Sequence, residues 1–472
     1  MFPTFRNMLP NKTTLRVLTL TGVLCLVALP ISANQDLGYV LNSFSFLIWG
    51  VLVMWMCAGF TMLESGTVRT KNASVICLKN LGLFSIACIT YYIIGYDLMY
   101  NEVWHFIGKP FQNGFGHGPS AVEVAMLTDS TNNSTELLSK QSYSTMSDWF
   151  FQMVFVATTA SIVSGALAER VRLWSFFAFI FILVSFIYPV VGAMTWGGGI
   201  LAELSEKHGF IDFAGSTIVH STGGWAALAG VLIVGPRIGK FRKNGTVHPT
   251  PPSNVPLVTL GVLILWLGWM GFNGGSVLAM DSPAKATIMS DVIANTVMAG
   301  AAGVLTVMAL SKVILGRMSL LAVLNGAIAG LVSITAAPDF HNMIWLAIFI
   351  GAVGGLLCLI TMRLFDAIKI DDVVSAIPAH LVAGIWGTMA VCFTNADSSL
   401  WVQFVGIIVV GAFTFTFSWI AWYLIDLIFG LRISAETEEL GQDVTELGME
   451  TYPEFVQVID HEMYAEELEE KA

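Results

Sequence analysis

The stretch Asp212-Phe213-Ala214-Gly215-Ser216-Thr217-Ile218-Val219-His220 runs on without a charge to Val234. Such a run has the length and composition of a helix that crosses a membrane, yet it carries a histidine eight residues beyond an aspartate. A second stretch repeats the arrangement, with Asp372 eight residues before His380, again inside an apolar run. At about 1.5 Å per helical residue, eight residues span roughly 12 Å of a hydrocarbon layer about 30 Å thick. Each imidazole is therefore expected close to the midplane. An ionisable side chain at that depth is expensive to keep, and is read first as functional. The pair points to a transporter or channel.

Composition agrees. Of 472 residues, 55% are hydrophobic and 12% charged, and the mean hydropathy is +0.73; a soluble domain carries about twice that share of charge. No phosphate-binding loop, dinucleotide fingerprint or zinc-protease motif occurs, so neither an ATP motor nor a cofactor enzyme is expected, and no nucleic-acid partner. Six cysteines are scattered in or beside apolar runs without metal or redox spacing, and read as small apolar side chains. At the start, Arg6, Lys12 and Arg16 precede the apolar run Val17 to Leu29 and then Pro30-Ile31-Ser32-Ala33. That is the pattern of a signal peptide over residues 1–33 with cleavage near Ala33, the alternative being an uncleaved extra helix.

Eleven further spans are expected, over 41–64, 80–99, 148–168, 174–195, 215–234, 256–278, 287–312, 318–336, 343–364, 375–395 and 401–430. The chain is thus an all-α polytopic membrane protein, with a membrane domain over 34–432. If the mature N-terminus lies outside, fourteen Lys and Arg fall on the cytoplasmic side, and only Lys109, Lys140, Lys207 and Lys285 outside. That bias sets the N-terminus out and the C-terminus in. Eleven spans also divide as two inverted five-helix repeats plus a final helix, which makes His220 in the fifth span and His380 in the tenth symmetry mates. Gly224 and Gly384, four residues after each histidine, are a faint echo of that symmetry.

Two polar pieces remain. Residues 100–147 read as an exposed outer connector. The tail, 433–472, holds thirteen Asp or Glu from Glu436 to Glu470. It reads as either a solvated acidic segment or a docking surface for a regulator.

Two neutral imidazoles in an apolar passage can accept and donate one proton between them, whereas two charged rings would repel. Metal ligation fits poorly, because no Cys, Asp or Glu is expected at that depth. Two core histidines bonded to one another are the bland alternative. Phe151 and Phe155 share a face of the third span, Trp196 ends the fourth, and Phe272-Asn273-Gly274-Gly275-Ser276 ends the sixth. Aromatics there form either an interfacial belt or, converging with Ser276, a cage for a small cation.

Several stretches together resemble the ammonium transporter (Amt/Mep/Rh) family, its Amt branch, over Leu37 to Tyr452. They are Gly165-Ala166-Leu167-Ala168-Glu169-Arg170, Trp196-Gly197-Gly198-Gly199, the segment Asp212 to His220, Gly268-Trp269-Met270-Gly271-Phe272-Asn273-Gly274-Gly275-Ser276, and Asp371-Asp372 followed by His380. The resemblance implies an eleven-helix fold and a homotrimer with one pore per subunit, in the cell membrane. It implies that Trp196, Ser276 and Phe151 recruit ammonium, that Phe155 and Phe272 form a stacked phenyl gate, and that His220 and His380 are a twin-histidine pair. Asp212 takes the place of the family's structural aspartate, whose position suits a helix cap. The chain departs at Ser375, where several relatives have aspartate, and at Leu447, where histidine is common. Ammonium would be trapped as a cation and deprotonated, with ammonia and the proton crossing separately, because an intact ion in a dry pore forfeits its solvation. An electroneutral ammonia channel of the Rh kind, or an ammonium sensor signalling through the tail, are the alternatives. A small regulator of the PII type is the partner the resemblance implies.

Overall fold

The computed structural model describes residues 12–111, 116–128, 140–204 and 209–455. The first eleven residues of the expected signal peptide and the last seventeen of the tail lie outside them. Among the described residues every regular element is a helix, and the only strand-like pairings are isolated bridges.

Eleven apolar helices follow in order: α1 (Lys12–Thr67), α2 (Thr70–Tyr100), α3 (Thr145–Ala166), α4 (Leu173–Thr195), α5 (Ser216–Val234), α6 (Val255–Gly275), α7 (Pro283–Leu315), α8 (Leu320–Ile334), α9 (Ile344–Ile368), α10 (Ile377–Thr394) and α11 (Leu400–Phe429). Ten of them are long and apolar enough to cross a membrane. The expected span 318–336 is the exception. As α8 it has 15 residues, about 22 Å of rise, and almost none of it is exposed.

The helices that carry the histidines are central. Helix α3 is the most buried span, with α5 next, and α3 packs on α5 while α8 packs on α10. Helix α1 lies along α6 over much of its length, and α5 crosses α10. The outward faces of α1, α7, α9 and α11 present Leu, Ile, Val, Phe and Trp side chains in rows. A soluble surface has no use for so continuous an apolar exterior, and lipid supplies the match.

The crossing of α5 and α10 is close because small residues face it. A Cβ on Gly384 would lie 2.4 Å from the Ser216 carbonyl oxygen, and one on Gly224 would lie 2.9 Å from the Leu381 backbone nitrogen. The two glycines are related by an offset of 160 residues, as are Asp212 and Asp372, and His220 and His380; Gly384 also meets Ser221, which stands 160 residues before Leu381. A backbone carbonyl cannot rotate aside, so Gly384→Ala is expected to force the helices apart at a cost of about 1–3 kcal/mol. A thermal melt of the purified protein checks this; a midpoint equal to the parent's would show that the crossing has slack.

Candidate functional site

Helix α5 begins abruptly because Asp212 builds its first turn. The Asp212 carboxylate accepts from four consecutive backbone amides: Gly215 (3.0 Å) and Ser216 (2.8 Å) on one oxygen, Thr217 (2.8 Å) and Ile218 (2.9 Å) on the other. Gly215 has φ +108°, a left-handed turn that brings the chain round the carboxylate. Residues Ser216–Ser221 then form a π turn, in which the His220 amide bonds to the Gly215 carbonyl. Only the last five residues up to His220 are helical, so its depth is less than the 12 Å a straight α-helix gives. Such wide turns often mark functional positions.

Helix α10 repeats the device in a weaker form. Ser375 takes the left-handed place with φ +61°, Asp372 accepts from the Ile377 amide at 2.7 Å, and the π turn Ile377–Val382 contains His380. The carboxylate that Ser375 lacks is thus supplied by Asp372, although its other oxygen is buried without a partner. Burial pushes both carboxyls up, each to about 6, against the pull of their backbone amides.

The two π turns bring the imidazoles together. His220 Nδ1 and His380 Nδ1 are 3.2 Å apart, and both residues are almost completely buried. Only one proton fits between two nitrogens in this arrangement, so one ring donates and the other accepts. A further proton would set two N–H donors head to head. His220 Nε2 is buried with no partner among the described residues.

Rings continue in a column on one side of the pair. Trp269 (centroids 4.9 Å) and Phe272 (5.2 Å) stack on His220. Phe272 stacks on Phe155 at 3.9 Å and 18°, while Phe155 meets Phe151 at 4.8 Å and the edge of Trp196 at 6.2 Å. Trp196 Nε1 donates to the Asp212 carbonyl at 2.8 Å, which ties the tryptophan to the start of α5. Phe151 lies against Gly275, where a Cβ would come within 2.5 Å of its ring. Next in the chain, Ser276 donates to the Phe272 carbonyl at 2.8 Å, leaving its own lone pairs for another donor. On the other side of the pair, Phe60 of α1 sits 6.2 Å from His380. Phe60 has no local signal, being one aromatic among many in an apolar helix, whereas Trp269 lies in the stretch Gly268 to Ser276 quoted above without a role of its own there.

Beyond His380 opens a vestibule of about 570 Å³, lined in part by Leu63, Arg237, Asn325, Asp371 and Asp372. Its wall is held by buried charges. Burial works to raise the Asp371 carboxyl, but the Arg237 guanidinium, bonded at 2.8 and 2.9 Å, holds it well below the usual range. Arg237 also meets Glu169, which pairs with Arg69.

The tail packs at this same end. Residues Ala435–Leu440 and Gln442–Leu447 are helical. The buried Asp443 carboxylate accepts from the Ser74 and Val75 amides at 3.0 and 2.7 Å, capping α2 from outside it. Glu438 accepts from Ile238 N and from Arg432. Two carboxylates of this part of the tail, Glu438 and Asp443, are thus spent on the protein's own loops, while Glu436, Glu439 and Glu446 stay exposed. Among the described residues no cluster of three or more His, Cys, Asp or Glu could hold a metal.

The profile of the Ammonium Transporter Family matches residues 44–452. The chain belongs to the ammonium transporter family. Within that family, ammonium transporter Amt2 of Archaeoglobus fulgidus is 34% identical over 439 residues, 87% of this chain and 88% of that protein. Among solved structures, a sensor Amt protein is 33% identical with a TM-score of 0.77, over 87% of this chain and 99% of that one. Mep2 of Candida albicans is 27% identical with a TM-score of 0.72, over 89% and 92%. The fold of the ammonium transporter family thus accounts for nearly all of the described helices, and the protein is a multi-pass membrane protein.

Proposed function

We propose that the protein transports ammonium by separating it into ammonia and a proton. The observation that carries this reading is the Nδ1–Nδ1 contact of 3.2 Å between two buried imidazoles under a stack of phenyl rings. Trp196, Phe151 and Ser276 recruit the cation, with ring faces and a free hydroxyl acceptor supplying attraction without a full counter-charge. Phe155 and Phe272 are the gate, and must part for anything to pass. Beyond them ammonia moves along the histidines, while the proton passes from one nitrogen to the next. Potassium has no proton to give up, and so meets the desolvation barrier of an intact ion.

In this reading α8 is an eleventh crossing, short because it lies inside the bundle. The chain is two inverted five-helix repeats, a reading supported by the recurrence of Asp212, His220 and Gly224 as Asp372, His380 and Gly384, 160 residues on. The Lys and Arg bias places the Trp196 end outside and the tail inside. The segment before Ala33 is removed, the protein is a homotrimer in the cell membrane, and a PII-type regulator meets the inner face.

The test is the current of purified protein in proteoliposomes after an ammonium jump, with a potassium jump as control. An ammonium-specific current is expected. Rapid internal alkalinisation without current would mean electroneutral ammonia conduction instead. A second reading, an ammonium sensor, is favoured by the likeness to a structure described as a sensor Amt protein. Ammonium binding with neither current nor alkalinisation would select it.

A further inference from the structure

Between the histidines and the vestibule lies a cavity of about 10 Å³, enough for one water-sized molecule. Phe60, Glu64, Ser161, Asn325 and His380 line it, and Leu63, Asn325 and Val374 also line the vestibule. It is the last step between the relay and open water. Glu64 stands there one turn before α1 ends, 1% exposed.

A carboxylate in such a place needs partners, and it has them on one side only. One oxygen accepts from Ser164 Oγ at 2.7 Å and from Asn80 Nδ2 at 3.2 Å. The other is buried and has no partner among the described residues. Lys79 supplies the balancing charge without touching it. Its ammonium, also 1% exposed, donates to the Ser164 carbonyl at 3.0 Å and sits 4.3 Å over the Phe176 ring. Carboxylate and ammonium are thus bridged through one serine. A buried pair repays its desolvation only when its geometry is close and its remaining lone pairs are satisfied, and here neither condition is met.

We infer that Glu64 is the inner acceptor of the proton that the histidine pair releases. The inference rests on the relay reading above. The N–H bond of the charged His380 ring breaks, its electron pair stays on nitrogen, and an O–H bond forms on Glu64 by way of one water, for which the cavity has room. The resulting carboxylic acid then gives its proton to ammonia that enters the small cavity on its way to the vestibule, restoring the carboxylate and forming ammonium. Ser164, Asn80 and Lys79 position the group and do not themselves carry the proton.

Glu64→Gln keeps an acceptor for Ser164 and Asn80 but cannot take up a proton. In proteoliposomes it is expected to lower the ammonium-jump current at least tenfold while ammonia-driven internal alkalinisation continues. A current equal to the parent's, or equal losses of current and alkalinisation in a variant that elutes and melts like the parent, overturns the inference. If Glu64→Gln does not fold, Glu64→Asp decides, since its carboxylate is withdrawn from the cavity by one methylene. A severalfold slower current is expected, and an unchanged one overturns the assignment. Absence of current in the parent removes the relay reading itself, whereas a parent current with an unaffected Glu64→Gln removes only Glu64.

Discussion

Replacing either His220 or His380 with alanine is expected to cut the ammonium-specific current by roughly 10²-fold or more, the usual scale for losing a positioned proton carrier. The argument is geometric. The two Nδ1 atoms are 3.2 Å apart, so each ring is the other's only nitrogen partner on that side. With one ring gone, the survivor still accepts a proton but has nowhere to pass it across the apolar step between Phe272 and Phe60. Ammonia needs no such carrier, so its conduction is expected to persist or rise as the passage widens. The double variant is expected to lose little more current than either single one, because groups that act as a unit are not additive. Parent-like currents in both single variants would end the relay reading. Stability separates the two positions: His220 stacks on Trp269 and Phe272, whereas His380 faces a small cavity. The thermal midpoint should therefore fall further for His220→Ala.

Membrane architecture was legible because it is written in long apolar runs, and most spans follow them within a few residues; α2 starts ten residues earlier than expected and α1 runs unbroken from Lys12. The fate of individual charges was less legible. Lys79 reads from sequence as one more inward-facing surface charge, yet it is buried against Ser164 and Phe176. Its partner Glu64 is a single acid at the end of a span and carries no local signal. Neither position could be weighed without the third helix that bridges them. The pair Phe155 and Phe272 illustrates the same limit: the rings stack at 3.9 Å although 117 residues separate them. Local spacing worked where the device itself is local. An aspartate eight residues before a histidine marks a carboxylate that starts a helix and a π turn that ends on an imidazole. The same spacing holds at the second histidine, where Asp372 reaches the turn to which Ser375 brings no carboxylate.

That local device makes the second large prediction. Asp212→Ala is expected to leave no stable protein, or one that melts far below the parent. Four backbone amides lose their acceptor at once in a buried site. Each orphaned buried donor costs about 1–3 kcal/mol, so the sum is comparable with the whole stability of a typical domain. The Trp196 indole also depends on this turn, through the Asp212 carbonyl. Asp212→Asn should be milder. It forfeits one of two accepting oxygens, but also relieves the burial of a charge, which pushes the carboxyl up to about 6 in spite of its four amides. Asp372→Ala should cost less than Asp212→Ala, since one Asp372 oxygen has no partner to lose. The expected order of thermal midpoints is therefore parent, then Asp212→Asn and Asp372→Ala, then Asp212→Ala. Asp212→Ala melting level with Asp372→Ala would mean that the left-handed turn at Gly215, and not the carboxylate, starts α5.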